Sequence, residues 1–162
     1  MKSNPVHDAD KESCGIAQRL LTQMRHAVLG TLDPVNGVPM LSQIATQVDE
    51  DGCPIALLAG LAAHSRALVQ DPRAGLLVTD TSAIKGDVMT HARLSLEVVA
   101  IKLGPDEVRR ARWLQRDPKA RIYIGLPDFS FWRLTPVSGL LNAGFGRAYK
   151  LGPEDILIPP TA

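Results

Sequence analysis

The sequence predicts a mainly β fold, a closed or nearly closed antiparallel barrel with a few helices outside it. Three observations carry this. Short apolar runs such as "HAVLGTLD", "CPIALLAG" and "GLLVTD" recur along the chain, bounded by turn residues. Several of those turns are too tight for crossover helices: "PVNG" and "EDG" join their neighbours as hairpins. Helical periodicity appears in only three stretches, few against the many short strands, so the helices are placed outside the strand assembly.

Each element follows from its local pattern. Residues 1–10 are polar and are expected to be flexible, with the folded domain running over 11–162. From Lys11 to Arg25, Ile16, Leu20 and Met24 recur at helical spacing, with Ala17 and Leu21 beside them. "HAVLGTLD" and "VPMLSQIATQVD" form a hairpin through Pro34 and Asn36-Gly37, and "CPIALLAG" continues the meander. A short helix follows within "LAAHSRALVQDPRAG" and stops before Asp71-Pro72, because the residue before proline avoids the α region. "GLLVTD" and "THARLSLEVVAIKL" are the next strands, with "TSAIKGDVM" a polar loop between them. "GPDEVRRARWLQRDP" is a helix, with Pro105 in its first turn and Asp106 and Glu107 facing its dipole. "DFSFWRLTP" and "SGLLNAGFGRAYKL" read as two closing strands.

Composition excludes several functions. The 162 residues carry 18 Lys+Arg against 17 Asp+Glu, so no basic excess points to nucleic acid. No apolar run approaches the length that spans a membrane. The polar start is unlike a secretion signal, and Cys14 and Cys53 form no CxxC pair, so a reduced, cytoplasmic protein is expected. The histidines, His7, His26, His64 and His91, are scattered, and no HExxH or P-loop is present. No structural or catalytic metal is therefore expected, and no nucleophile elbow surrounds Ser42 or Ser65.

One stretch invites chemistry. His64, Ser65 and Arg66 open a helix barely two turns long. A helix N-terminus presents unpaired N–H groups and partial positive charge, and Ser65 and Arg66 add a hydroxyl and a guanidinium. Together they suit a phosphate. The same residues also read as a simple cap with a solvated arginine. Phe129, Phe131 and Trp132 read as packing residues, and Arg109, Arg110 and Arg112 as a solvated helix face. Gly144 and Gly146 mark either a close backbone approach or a bulge.

From about Leu20 to Ile156 the chain resembles the pyridoxamine 5'-phosphate oxidase-like family of FMN-binding split barrels, nearest its heme-utilisation-related branch. The resemblance rests on the ordered blocks "VLGTLDPVNGVPMLSQIATQVDEDGCPIALLAGLAAHSRALVQDPRAGLLV", "GDVMTHARLSLEVVA" and "DFSFWRLTPVSGLLNAGFGRAYKL". It implies a six- to seven-stranded antiparallel split barrel of Greek-key type with flanking helices. It implies FMN bound by Pro39, Met40, Leu41, Ser42 and Gln43 on one strand and by Gly60, Leu61, His64, Ser65 and Arg66 at the helix mouth. The central strand adds Arg93, behind His91 and Ala92, and the site lies at a homodimer interface. Thr46 stands where the oxidases tend to place a second cation. The implied activity is flavin-dependent oxidoreduction of a small molecule, with no partner nucleic acid or membrane. Two alternatives accompany it. One is heme binding or degradation, with His26, His64 or His91 as the available ligands because no histidine follows His91. The other is a non-catalytic flavin-binding module.

Overall fold

The computed structural model describes residues 5–157. Its strands are β1 (Val6–Asp8), β2 (His26–Leu32), β3 (Pro39–Val48), β4 (Pro54–Ala59), β5 (Arg73–Thr79), β6 (Arg93–Lys102), β7 (Phe129–Asn142) and β8 (Ala148–Leu151). The helices are α1 (Lys11–Gln23), α2 (Ala63–Gln70), α3 (Glu107–Arg116) and α4 (Pro153–Ile156). Strand order β7-β4-β3-β2-β5-β6 closes on itself through a β6–β7 pairing, which makes a six-stranded barrel, with β8 and β1 added outside β7. β2, β3 and β4 form a meander and β5 returns beside β2, the Greek-key arrangement that the family resemblance implies.

The barrel interior follows from the pleat. Ala27, Leu29, Ile44, Leu76, Val78, Leu94, Leu96 and Leu134 point inward and are buried, and their outward neighbours are exposed or half-buried. α1 closes one side of this core with Ala17, Leu20 and Leu21. Its start is fixed by a reciprocal cap. The Ser13 amide donates to the Asp10 carboxylate at 2.7 Å, and the Asp10 amide donates to the Ser13 hydroxyl at 2.8 Å. β4 is apolar throughout because it is covered twice. Ala56 and Leu58 enter the barrel, while Ile55 and Leu57 join a second cluster under α3 with Trp113, Ile124 and Phe131. Trp113 meets Phe131 edge-on, with ring centroids 5.3 Å apart.

Four expectations are corrected. Of the flexible stretch 1–10, residues 1–4 lie outside the described residues, but Val6–Asp8 pair in parallel with Ala148–Lys150, because β8 offers an open sheet edge. The two closing strands before "AGFGRA" are one, β7, running through Pro136. Proline is tolerated there because a bulge shifts the register at Glu97/Val98, and Pro136 lies at that irregularity. Pro105 lies before α3, whose cap is Asp106, accepting from the Arg109 amide at 2.9 Å. Finally, Arg109 and Arg112 are not a solvated face. Both reach Asp49 in the β3–β4 turn, and Arg112 also pairs with Glu50. Gly52, at φ 75°, lets that turn close tightly enough to present its acids to α3.

Two outcomes follow. Leu134 is fully buried in the barrel, so Leu134→Ala should lower unfolding free energy by about 2–5 kcal/mol in denaturant titration. Arg133 bonds the Asp51 carboxylate and holds it below the usual carboxylate range. A lowered folded-state value means that this stabilisation is complete above the ordinary carboxylate pKa and is lost as pH falls through the lowered one. Melting curves of Asp51→Asn should therefore lose stability at neutral pH and show a flatter acid limb than the parent.

Candidate functional site

Two clefts adjoin the residues that the sequence singled out, and they lie in different places. The first opens on the outer face of the barrel, in a volume of about 570 Å³. Gly30 of β2 lies opposite Gly75 of β5, and Gly75 lies opposite Glu97 of β6. Two bare backbones side by side leave a trough, with Leu32, Pro39, Val99 and Val137 as apolar walls. Neither glycine has positive φ. A Cβ added at Gly75 would come no closer than 3.9 Å to the Leu96 carbonyl, and one at Gly30 would meet Leu41 Cδ2 at 3.5 Å. The glycines therefore keep space open rather than relieve a clash. Arg73 at the rim is held by Asp71, its Nη2 2.7 Å from the carboxylate.

The second cleft, about 490 Å³, lies between α2, β4 and the adjoining ends of β6 and β7. Gly60, Ser65 and Arg66 line it, with Lys102, Ser130 and Trp132. The helix mouth here is more fully engaged than the sequence suggested. The Ser65 hydroxyl is buried and donates to the Ala59 carbonyl at 2.7 Å. The Gly60 amide donates to the Asp128 carbonyl at 2.7 Å, and the Leu61 amide faces the Asp128 carboxylate at 3.4 Å. Gly60 is required by this approach, since a Cβ there would meet Asp128 Oδ1 at 2.8 Å. The Arg66 amide donates to the Ala62 carbonyl at 3.2 Å, but its exposed side chain has no partner among the described residues.

The other singled-out residues divide by pleat and position. On β3, Pro39, Leu41 and Gln43 point out and are exposed, while Met40 and Ser42 are half-buried on the other face. Pro39 belongs to the outer cleft. Arg93 lies in neither cleft; it starts β6 and donates to the Met89 carbonyl at 3.1 Å. His91 Nε2 is 2.9 Å from the Lys85 carbonyl. His64 is half-buried with Nε2 enclosed and unpartnered, and burial pushes its pKa down. His26 shares the outward row of β2 with Val28, Gly30 and Leu32. Among the described residues no three His, Cys, Asp or Glu side chains are grouped to hold a metal ion, and no helix is long and apolar enough to cross a membrane. Sequence reasoning missed Gly30, Gly75 and Lys102. Isolated glycines inside apolar strands were the available signal for the first two. Lys102 has none, because only the β6–β7 register carries it to the mouth of α2.

No family model matches the chain. Two curated proteins do match it. The heme oxygenase HutZ of Vibrio cholerae is 26% identical over 137 residues, which is 80% of this chain and 75% of that protein. The non-canonical chloroplastic heme oxygenase HOZ of Arabidopsis thaliana is 26% identical over 152 residues, 87% of this chain. This chain spans only 46% of the plant protein. In structure, a protein related to general stress protein 26, of the pyridoxinephosphate oxidase family, from Clostridium acetobutylicum superposes with a TM-score of 0.70. It is 14% identical, and the match covers 91% of this chain and 99% of that one. The chain has the split-barrel fold of the pyridoxamine 5'-phosphate oxidase-like proteins and resembles their heme-utilisation-related branch. Its closed barrel carries the glycine trough on the outer face and a second cleft, lined by Arg66 and Lys102, at the end of α2.

Ser65 separates a structural from a ligand-binding role for the helix mouth. Ser65→Ala should remove a buried hydrogen bond and leave the Ala59 carbonyl without it, costing about 1–3 kcal/mol in denaturant titration. Affinity for phosphate-bearing ligands should stay within twofold of the parent.

Proposed function

We propose that the chain is a heme-binding split-barrel protein, with heme lying on the outer sheet face against Gly30 and Gly75. The observation that carries this reading is the trough itself. It is a shallow apolar cleft over bare backbone, kept open by two glycines that the fold does not otherwise need. A flat, largely apolar ligand matches such a surface, and the names of the two curated relatives, both heme oxygenases, support heme as that ligand.

The face continues beyond the trough as exposed apolar side chains, Leu41, Leu77, Val137 and Leu140 among them. In this reading a second copy of the chain covers them across a two-fold axis, so that heme lies between the copies. His26 is the histidine on the same outward row as Gly30, and it is assigned here as the iron ligand. His64 is disfavoured because its Nε2 is enclosed. Heme supplies redox chemistry when bound; the chain's residues hold it, ligate it and exclude water. The reading extends to heme breakdown, the activity in the names of both curated relatives.

Flavin-dependent oxidoreduction is the second reading, favoured by one observation, the unpartnered Arg66 in the end cleft. Against it, the Ser65 hydroxyl and the Leu61 amide already have partners.

Hemin titration tests the proposal. The parent should develop a Soret band that saturates, and light scattering should show a dimer at micromolar concentration. His26→Ala should shift that band and weaken binding at least tenfold, while His64→Ala and His91→Ala leave it unchanged. Gly75→Val should fill the trough and abolish the band with no loss of melting temperature. A band unaffected by both His26→Ala and Gly75→Val would place heme elsewhere and overturn the assignment.

A further inference from the structure

We infer that the trough holds a linear tetrapyrrole with free pyrrole N–H groups, and that Glu97 is the residue that recognises it. This rests on the heme breakdown proposed for the outer sheet face, and concerns what that face holds once the ring is open. Glu97 of β6 lies opposite Gly75 and lines the trough. It also lines the adjoining cleft of about 580 Å³ over β6, β7 and β8. Its side chain is exposed and has neither an ion pair nor a hydrogen bond among the described residues. Two cations border this part of the face, and neither answers it. Arg73 is held by Asp71. Lys150 lies two strands away, in the outward row of Ser95 and Leu140, with Asp8 of β1 as its register partner.

The residues around Glu97 describe the rest of the ligand. Gly30, Gly75, Val99 and Val137 give bare backbone and apolar wall, which suit a flat conjugated body. Ser95 stands two residues before Glu97 on the same face, and Ser138 stands opposite Glu97 on β7. Both serines line the adjoining cleft, and neither hydroxyl has a partner among the described residues. A charged acceptor is thus flanked by two hydroxyl donors on an otherwise apolar part of the face.

Heme makes no use of this set. Its four nitrogens all bind the iron, so it presents no N–H to a carboxylate, and its own acidic side groups repel one. A carboxylate covered by heme loses water and gains no partner, which costs affinity. An opened, iron-free tetrapyrrole differs at those atoms. Its nitrogens carry hydrogens, and the ends of the chain carry lactam carbonyls. Glu97 accepts from the N–H groups in charge-assisted bonds, while Ser95 and Ser138 donate to a carbonyl. The trough thus holds heme through contact area alone, and the opened ring through area and polar contacts together. Release of the opened ring, rather than capture of heme, is the step that Glu97 slows.

The test titrates the full chain with biliverdin, as the opened tetrapyrrole, and with ferric hemin. Binding is read by calorimetry and by circular dichroism induced in the visible bands, neither of which needs turnover. Glu97→Ala should weaken biliverdin about 10-fold or more. Glu97→Gln, which keeps a neutral acceptor, should fall between that variant and the parent. Neither substitution should weaken hemin. Gly75→Val should abolish binding of both ligands, and Glu107→Gln, on α3, should change neither. The inference is overturned if Glu97→Ala leaves biliverdin affinity at the parent value, or if it weakens biliverdin and hemin alike. A parent that binds hemin but no biliverdin overturns it while the heme reading stands. A parent that binds biliverdin through Glu97 but binds no hemin upholds the recognition by Glu97 and sinks the heme reading.

Discussion

The pairing of β6 with β7 is the constraint on which the rest of the structure depends. Arg93–Lys102 run antiparallel to Asn142–Trp132, and this ladder turns an open sheet into a closed barrel. Closure removes two sheet edges and gives the inward rows of all six strands a common interior. It also fixes both clefts. The register that places Lys102 opposite Trp132 brings the end of β6 to the mouth of α2. The bulge at Glu97/Val98 shifts β7 so that Val137 faces outward and walls the glycine trough.

The two clefts differ in what holds them open. The outer trough exists because side chains are missing, at Gly30 and Gly75, from strands whose other outward positions are filled. Its character is apolar and shallow, and a planar ligand or a facing protein surface would cover it. The end cleft exists because two cations and an aromatic wall meet where α2 crosses the barrel end. A single chain thus carries one surface suited to area and another suited to charge. The arginines of α3 complete the contrast, since their partners in the β3–β4 turn leave them no charge to offer a ligand.

Most of the fold was legible in the sequence because its signals are local. The turn at Asn36-Gly37, the apolar run of β4 and the stop at Asp71-Pro72 each act within a few residues, and each appears where it was read. What was illegible depends on register. That Pro136 lies at a bulge rather than at a strand end is settled by its partner Val98, 38 residues away in a strand the sequence cannot align. The site divides in the same way. Ser65 and Arg66 were found because they open a helix, but the partner that occupies Ser65 is the Ala59 carbonyl at the end of β4. Lys102 carries no local signal in the sequence, because only the β6–β7 register brings it to the cleft. Arg109 and Arg112 were read as solvated because their acids belong to a distant turn.

The central claim, that heme lies on the outer sheet face, is tested most directly by amide NMR of the chain titrated with ferric hemin, whose paramagnetism broadens nearby signals. The amide signals of Gly30, Gly75 and Val99 should broaden first, while those of Gly104 and Gly125, beside α3, remain sharp. Broadening centred on α2, or no selective broadening at any strand of that face, would contradict the account.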